Sequence, residues 1–318
     1  MENVTVLMPV KDGARYLDKA LSSLKKNISR DDEVLIIDDF SSDYTWEKLN
    51  NHLEDFPQLR IIKNVKSGLV NALNLGLREA KNEWIARFDV DDNYAEHRLE
   101  LQRAQIREGV VAIFSDYSFW TRKGIFLGRI PSPIFPEATA LSLLKSQRTA
   151  HPSVLLNKQL AIGVGGYRPH DFPSEDLSLW LRLTRVGDLI SLPEELLYYQ
   201  LSPTSVSSSL YSQAKKRSRE LIEEIGLTKS LHFVALDKLQ GSIDSYRTTS
   251  LSTERSFLHL LDINYAFRKF GEDSKLRKEL HKSVLNFLAH HPEIFSYSKM
   301  AFWKMTRKLY RYVNQSKH

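Results

Sequence analysis

The chain has 318 residues, a length that suits two domains or one large α/β domain with an appendage. Hydrophobic residues make up 42% of it and charged residues 26%, so a packed core is expected and general disorder is not. The chain contains no cysteine, which excludes disulfides, thiolate catalysis and cysteine-based zinc or iron–sulfur sites.

The net charge of +6 originates in the last twenty residues. Residues 299–318 contain six Lys and Arg and no acid, which leaves 39 basic and 39 acidic residues in residues 1–298. A neutral body does not favour a nucleic-acid-binding protein with a broad basic face. The N-terminal residues lack the pattern of a signal peptide, and no apolar run is long enough to span a membrane, so we expect a cytoplasmic protein.

Residues 4–114 alternate between short apolar runs and segments with a helical spacing of apolar residues. This pattern predicts strands at 4–10, 34–37, 59–62, 84–88 and 110–114, with helices at 14–24, 44–53, 70–80 and 98–108. Strands that alternate with helices predict an α/β fold with a mostly parallel sheet, covered by helices on both faces.

The pattern is interrupted at 120–136, where Gly and Pro are frequent. The later segments predict helices at 137–146 and 176–186, short strands at 190–192 and 196–199, and a linker at 202–209. Further helices are predicted at 211–225, 231–239, 255–270 and 275–290. We therefore place a domain boundary near residue 208, between an α/β domain at 1–208 and a helical region at 209–318.

Two groups of acidic residues directly follow predicted strands. Asp38 and Asp39 follow the second strand, and Asp89, Asp91 and Asp92 follow the fourth. Because ligands of open α/β sheets bind at the carboxyl ends of strands, both groups are expected at one edge. Clustered carboxylates repel one another, and a divalent cation such as Mg²⁺ or Mn²⁺ relieves that repulsion. The alternative, that these acids only form turns or cap helices, is less favoured because both groups occur together.

The order of the short motifs resembles that of the inverting family 2 glycosyltransferases, which have the GT-A fold. The motifs are VLMPV at 6–10, IDDFSSD at 37–43, GLVNALN at 68–74, DVDD at 89–92, HPS at 151–153, GGYR at 165–168, SED at 174–176 and LWLRL at 179–183. The resemblance spans about residues 3–208 and implies that 1–208 is a nucleotide-sugar-binding catalytic domain. It implies a Rossmann-like, mostly parallel sheet with flanking helices, a UDP-sugar donor, and Mn²⁺ or Mg²⁺.

The same resemblance assigns residues to the nucleotide. Asp39 matches the acid that holds the base and ribose, and Asp38 is the weaker candidate. The other positions expected near the nucleotide are Pro9, Val10, Asp12, Lys66 and Asn71. The sequence departs from the family at several positions, among them 11–12, 40 and 198–201. Phe40 stands where glycine is frequent, so the turn is expected to avoid positive φ.

Metal and sugar contacts are implied in the same way. Asp91 would ligate the metal, Asp89 would contact the ribose or a metal-bound water, and His151 would ligate the metal or contact phosphate. For His151, an ordinary structural role is an equal alternative. The residues expected beside the donor or acceptor sugar are Asp92, Gly166 and Glu175.

An inverting transfer needs a base that removes the proton of the attacking hydroxyl. Asp176 matches the family position of this base, and the adjacent Glu175 remains an alternative. Both acids also lie where a predicted helix begins, so a purely capping role is the competing interpretation.

The terminal segment 302–314 is amphipathic, with aromatic and aliphatic residues on one half and bases on the other. Such a helix is typical of a membrane interface, and packing on the protein is the alternative. We therefore expect contact between 299–318 and an anionic membrane surface, with the enzyme peripheral at the inner face of the cell membrane.

The resulting functional hypothesis is a metal-dependent inverting glycosyltransferase. It would move one sugar from a UDP-sugar to a saccharide or lipid-linked saccharide in bacterial surface polysaccharide synthesis, such as O-antigen or capsule. We expect no nucleic-acid partner, and the helical region is compatible with a homodimer. The competing hypotheses are a sugar-phosphate nucleotidyltransferase and a non-catalytic scaffold docked on a membrane.

Overall fold

The computed structural model of the protein describes residues 2–133, 136–143, 148–201 and 209–226. The helices predicted at 231–239, 255–270 and 275–290, the terminal segment 302–314 and nearly all of the predicted linker lie outside the described residues.

Within the described residues, nine strands form a single sheet in the order β3-β2-β1-β4-β8-β6-β9-β5, and β7 pairs with β6. The strands are β1 Val4–Val10, β2 Glu33–Asp38, β3 Leu59–Lys63, β4 Trp84–Arg87, β5 Asn93–Tyr94, β6 Val110–Thr121, β7 Phe126–Ile130, β8 Leu155–Asn157 and β9 Asp188–Leu201. The first four strands are mutually parallel, as is the β6–β9 pair, whereas β5, β7 and β8 run antiparallel to their neighbours. The predicted α/β class with a mostly parallel sheet is therefore confirmed.

The α-helices of the described part lie between these strands and after the last one. They are α1 Leu17–Asn27, α2 Thr45–Asn51, α3 Leu69–Glu79, α4 Arg98–Arg103, α5 Pro136–Leu143, α6 Lys158–Gly163, α7 Glu175–Leu183 and α8 Tyr211–Gly226. Two short 3₁₀ helices, His151–Ser153 and Pro169–Asp171, precede β8 and α7. No helix among the described residues combines the length and the apolar character that crossing a bilayer requires.

The core lies on both faces of the sheet. Along β1 the buried side chains alternate, so Leu7 joins the apolar cluster that contains α3, whereas Val6 and Met8 join the cluster that contains α1. This alternation follows from the two-residue period of a strand and explains why every residue of β1 is apolar or buried.

The structure differs from the prediction where Gly and Pro were read as interruptions. Residues 120–136 contain strand β7, which forms an antiparallel hairpin with β6 around a turn at Gly124, whose φ is 75°. The two short strands predicted at 190–192 and 196–199 are one strand, β9. Its Pro193 lies at a register shift between the pairs Ser115–Leu192 and Asp116–Glu195, so the missing N–H interrupts the ladder without ending the strand.

Candidate active site

The carboxyl ends of β1, β2 and β4 place both predicted acid groups at one edge of the sheet. Val10 pairs with Asp38 at the ends of β1 and β2, and the Asp39 N–H donates to the carbonyl of Val10 at 2.7 Å. On the other side of β1, Leu7 pairs with Arg87, the last residue of β4, and Asp89 follows two residues later. The parallel register thus explains why acids distant in sequence lie together.

The carboxylate of Asp39 is buried and fixed by polar groups from the next connection. Its Oδ1 accepts hydrogen bonds from Asn64 Nδ2 at 2.7 Å and from the Gly68 N–H at 2.9 Å. In the described part of the chain, Asp38 Oδ1 and Asn64 Oδ1 are buried without a hydrogen-bond partner. Buried acceptors of this kind are costly, and a ligand that donates N–H or O–H groups would satisfy them.

The turn beyond β1 is tied to the turn beyond β2. Asp12 Oδ1 accepts from the Ser42 N–H at 2.7 Å and from Ser42 Oγ at 3.0 Å, and the hydrogen bond from the Ser42 backbone lowers the pKa of Asp12. Phe40 adopts φ of 57°, so the expectation that its turn avoids positive φ was wrong. These side-chain bonds to the adjoining loop offset part of the cost of a left-handed, non-glycine residue.

The other residues predicted near the nucleotide lie around this turn. Pro9 and Val10 are buried in β1 opposite Ile37 and Asp38. Lys66 is exposed in the loop between β3 and α3. Asn71 lies in the first turn of α3, and its Nδ2 donates to the Ser67 carbonyl at 2.8 Å. Their roles toward a nucleotide stay predictions.

A buried arginine that the sequence analysis did not select lies beside the second acid group. Arg87 is only 3% exposed, and its Nη2 donates to Asp89 Oδ1 at 2.7 Å. Burial alone would lower the pKa of Arg87, but the neighbouring Asp89 raises it, so the guanidinium stays charged. The only signal in the sequence was a base at the end of an otherwise apolar strand, two residues before the acids.

The remaining acids of this group are held by different elements. Asp91 Oδ2 accepts from Arg122 Nη2 at 3.1 Å, and Asp92 Oδ1 accepts from the Gln200 N–H at 2.7 Å. Asp92 is buried, and its Oδ2 has no hydrogen-bond partner among the described residues. Burial, followed by repulsion from Asp89, raises the pKa of both Asp91 and Asp92.

The two candidates for the general base, Glu175 and Asp176, lie in the first turn of α7. Glu175 is 6% exposed, and its Oε2 is unpaired within the described residues. Burial, then the charge of Asp176, raises the pKa of Glu175 to about 7, with Asp89 adding to the rise and Arg87 opposing it. Asp176 is less buried, and its Oδ1 accepts from the Leu177 N–H at 2.7 Å. The charges of Arg87 and Asp89 therefore act on Glu175, which places the acids after β4 and the start of α7 in one electrostatic environment.

His151 lies beside this group among aromatic rings. Its Nε2 is 2.9 Å from the Tyr167 hydroxyl, and its ring centroid is 5.8 Å from that of Trp180. Burial, then the charge of Arg87, holds the pKa of His151 well below its ordinary value, so the imidazole is neutral. Gly166, next to Tyr167, has φ of 58°, and its carbonyl accepts from Arg182 Nη2 at 2.7 Å. Both contacts are structural, and the roles predicted for His151 and Gly166 toward ligands stay predictions.

The carboxylates of Asp89 and Asp91 suit a cation whose remaining ligands come from a substrate. Asp89 and Asp91 are each about one third exposed and supply the carboxylate oxygens that Mg²⁺ and Mn²⁺ prefer. Among the described residues, no three His, Asp or Glu side chains gather as a complete metal cage, so Asp89, Asp91 and His151 do not form one. One or two carboxylates with several open positions is the usual arrangement where phosphate oxygens complete the coordination.

Comparison with known proteins gives a consistent assignment. Residues 5–161 match the family model described as Glycosyl transferase family 2. An uncharacterized glycosyltransferase of Haemophilus influenzae is 25% identical over an alignment of 342 positions that covers 99% of each chain. WfaP of Escherichia coli, named UDP-Glc:alpha-D-GlcNAc-diphosphoundecaprenol beta-1,3-glucosyltransferase, is 28% identical over 246 residues, covering 73% of this chain and 90% of WfaP.

The fold has a counterpart among solved structures. The crystal structure of Staphylococcus aureus TarS 1–349 in complex with UDP-GlcNAc superimposes with a TM-score of 0.60, at 18% identity, and covers 94% of this chain and 90% of TarS 1–349. At that identity the likeness establishes the GT-A type of fold, while the family match assigns the enzyme class. Residues 5–161 therefore form a glycosyl transferase family 2 domain, and the chain is a glycosyltransferase.

Proposed function

We propose that this glycosyltransferase transfers one sugar, with inversion, from a UDP-sugar to a hydroxyl of a lipid-linked saccharide, and that a divalent metal assists. The observation that carries the proposal is the position of Arg87, because it donates a hydrogen bond to Asp89 after β4 and its charge also lowers the pKa of Glu175 at the start of α7. A metal–diphosphate site and a general base need to lie on either side of the same reacting carbon, and the closeness of these two acid groups supports that assignment.

The nucleotide is assigned to the end of β1 and β2. Asp39 is oriented by Asn64 and Gly68, and the unpaired acceptors of Asp38 and Asn64 suit the N–H and O–H groups of a base and ribose. WfaP, which is named for a UDP-Glc donor, supports a uridine nucleotide for this chain.

The metal is assigned to Asp91, with Asp89 beside it. Bound there, Mn²⁺ or Mg²⁺ would neutralise charge that grows on the departing diphosphate. The protein's own contribution is to fix the positions of these carboxylates, through the ion pairs of Arg87 with Asp89 and of Arg122 with Asp91.

The base is assigned to Asp176, with Glu175 as the alternative. Asp176 is the more exposed of the two and can be reached by an acceptor, whereas Glu175 is buried close to the charges of Arg87 and Asp89.

As the acceptor oxygen bonds to the anomeric carbon, the carboxylate takes the hydroxyl proton. The bond from the anomeric carbon to the phosphate oxygen breaks, and the nucleotide leaves with the electron pair. Attack opposite the leaving group inverts the anomeric centre.

The acceptor class and the cellular role are inferred from the relatives. WfaP is named for an acceptor linked to diphosphoundecaprenol, which resides in a membrane. We extend a lipid-linked acceptor, surface polysaccharide synthesis and a peripheral position at the inner membrane face to this chain, with residues 299–318 as the contact.

The proposal is tested by UDP release from a panel of UDP-sugars with Mn²⁺, together with calorimetry of UDP binding with and without the metal. We expect one or a few sugars to be hydrolysed. Asp91→Ala should lose the metal-dependent part of UDP binding, and Asp176→Asn should keep UDP binding but lose most turnover. Normal turnover in Asp176→Asn would refute the base assignment, and metal-independent UDP binding would refute the metal assignment.

A further inference from the structure

Helix α8 contacts the short segment that leads into the two acids of α7. Arg217 Nη2 donates to Asp171 Oδ1 at 2.6 Å, and Ser174 Oγ donates to the Ala214 carbonyl at 3.0 Å. Ser174 Oγ and Ser218 Oγ are also 3.0 Å apart. Ser174 immediately precedes Glu175, so these contacts reach the residue directly before the helix that carries the proposed base.

Asp171 couples that contact to the body of α7. Its side chain is 2% exposed, its Oδ2 accepts from the Ser178 hydroxyl, and its carbonyl accepts from the Ser174 N–H at 2.8 Å. Burial opposes ionisation of Asp171, but the hydrogen bonds from Ser178 and Arg217 hold its pKa below the ordinary value. Asp171 is therefore a buried anion that is paired with Arg217 and also lies 3.5 Å from Nε2 of the exposed His170.

One face of α8 supplies all of these groups. Ala214, Arg217, Ser218 and Leu221 are separated by three, one and three positions, so they share a face of the helix. Leu221 is buried and belongs to the same apolar cluster as Leu177 and Trp180 of α7. Packing and polar contacts thus fix α8 on α7 in one register.

We propose that α8 is a positioning element of the active site and that Arg217, through Asp171, sets the position of Glu175 and Asp176. This inference rests on the proposed function, in which one of these two acids is the general base. It assigns a part in the reaction to a helix that begins beyond the predicted boundary at residue 208 and outside the residues matched by the family model. Displacement of a catalytic group by even about 1 Å can slow turnover greatly, up to about a hundredfold.

The experiment compares three full-length variants of α8. Arg217→Gln removes the positive charge that pairs with Asp171, and Arg217→Lys keeps that charge without the planar guanidinium. Arg219→Gln removes an equal charge from an exposed position on the same helix. Turnover is measured as UDP release from the UDP-sugar that the wild type hydrolyses fastest, and UDP binding with Mn²⁺ is measured by calorimetry. Ser218→Ala serves as a milder second variant in case Arg217→Gln folds poorly.

We expect Arg217→Gln to lower kcat about tenfold while the KM for the donor and the UDP affinity change less than about twofold. Arg217→Lys should recover part of kcat, Ser218→Ala should lower it less, and Arg219→Gln should match the wild type. Unchanged kcat in Arg217→Gln would overturn the inference. So would a loss of turnover fully explained by fewer UDP-binding molecules, because that pattern indicates only a folding role. Failure of the proposed function is distinguishable, since Asp176→Asn and Glu175→Gln would then both keep full turnover.

Discussion

Arg122, in the turn between β6 and β7, donates a hydrogen bond from Nη2 to Asp91 Oδ2 at 3.1 Å. The same guanidinium contacts the Tyr16 hydroxyl and lies 4.5 Å from the centre of the Tyr16 ring. One side chain therefore links the β6–β7 hairpin, the acids after β4 and the start of α1. Because Asp91 is the proposed metal ligand, Arg122 and a divalent cation compete for one carboxylate.

We predict that Arg122→Gln raises the affinity for Mn²⁺ in the absence of nucleotide. The ion pair is about one third exposed, so its loss should tighten binding only about two- to fivefold. Electron paramagnetic resonance of free Mn²⁺ measures this affinity directly. Lys123→Gln removes the same charge from the neighbouring position and is the control. An equal rise in both variants would mean that general electrostatics, and not the Asp91 contact, controls the affinity.

We predict that Glu175→Gln is more stable than the wild type at pH 8 but not at pH 4.5. The pKa of Glu175 rises from 4.5 in the unfolded chain to about 7 in the folded protein. The stability associated with its protonated form is therefore present below about pH 4.5 and is lost as the pH rises through about 7. The glutamine should recover roughly 1–3 kcal/mol at pH 8, measured by denaturant unfolding. A stability difference that does not depend on pH would contradict the raised pKa.

We predict that Gly166→Ala destabilises the protein by about 1–3 kcal/mol. Gly166 has φ of 58°, and an added Cβ would lie 2.7 Å from Asn74 Oδ1. That amide accepts from the Tyr167 N–H at 3.0 Å, so the clash would disturb the link between α3 and the loop before α7. Gly163→Ala is the matched control, because nothing lies within 4 Å of its added Cβ. Thermal unfolding of the two variants would contradict the prediction if their midpoints agreed.

The sequence predicted the part of the site that depends on strand ends. The positions of Asp39 and Asp91 could be predicted, because short apolar runs followed by acids indicate buried parallel strands. Parallel strands place their carboxyl ends together. Hydrophobic periodicity likewise predicted most helices to within a few residues, including α8.

What the sequence did not predict depends on contacts between distant residues. Arg122 meets Asp91 only because β6 continues well beyond its apolar run and turns at Gly124, a region whose Gly and Pro content indicated a loop. Arg87 was read as part of a strand, since nothing local distinguishes a buried, charge-paired arginine from an edge residue. The position of Arg217 against Asp171 likewise required the packing of α8 on α7.

We predict that removing residues 299–318 abolishes binding to anionic vesicles and leaves UDP and Mn²⁺ binding intact. Six bases and no acid occur in that segment, and each base near an anionic surface contributes about 1 kcal/mol. Co-sedimentation with vesicles that contain phosphatidylglycerol measures the binding. Replacing Lys304, Arg307, Lys308 and Arg311 by Gln is the second arm, and it should weaken binding strongly while the aromatic residues remain. If the truncated protein still sedimented with anionic vesicles, the membrane contact would lie in residues 1–298, where basic and acidic residues balance.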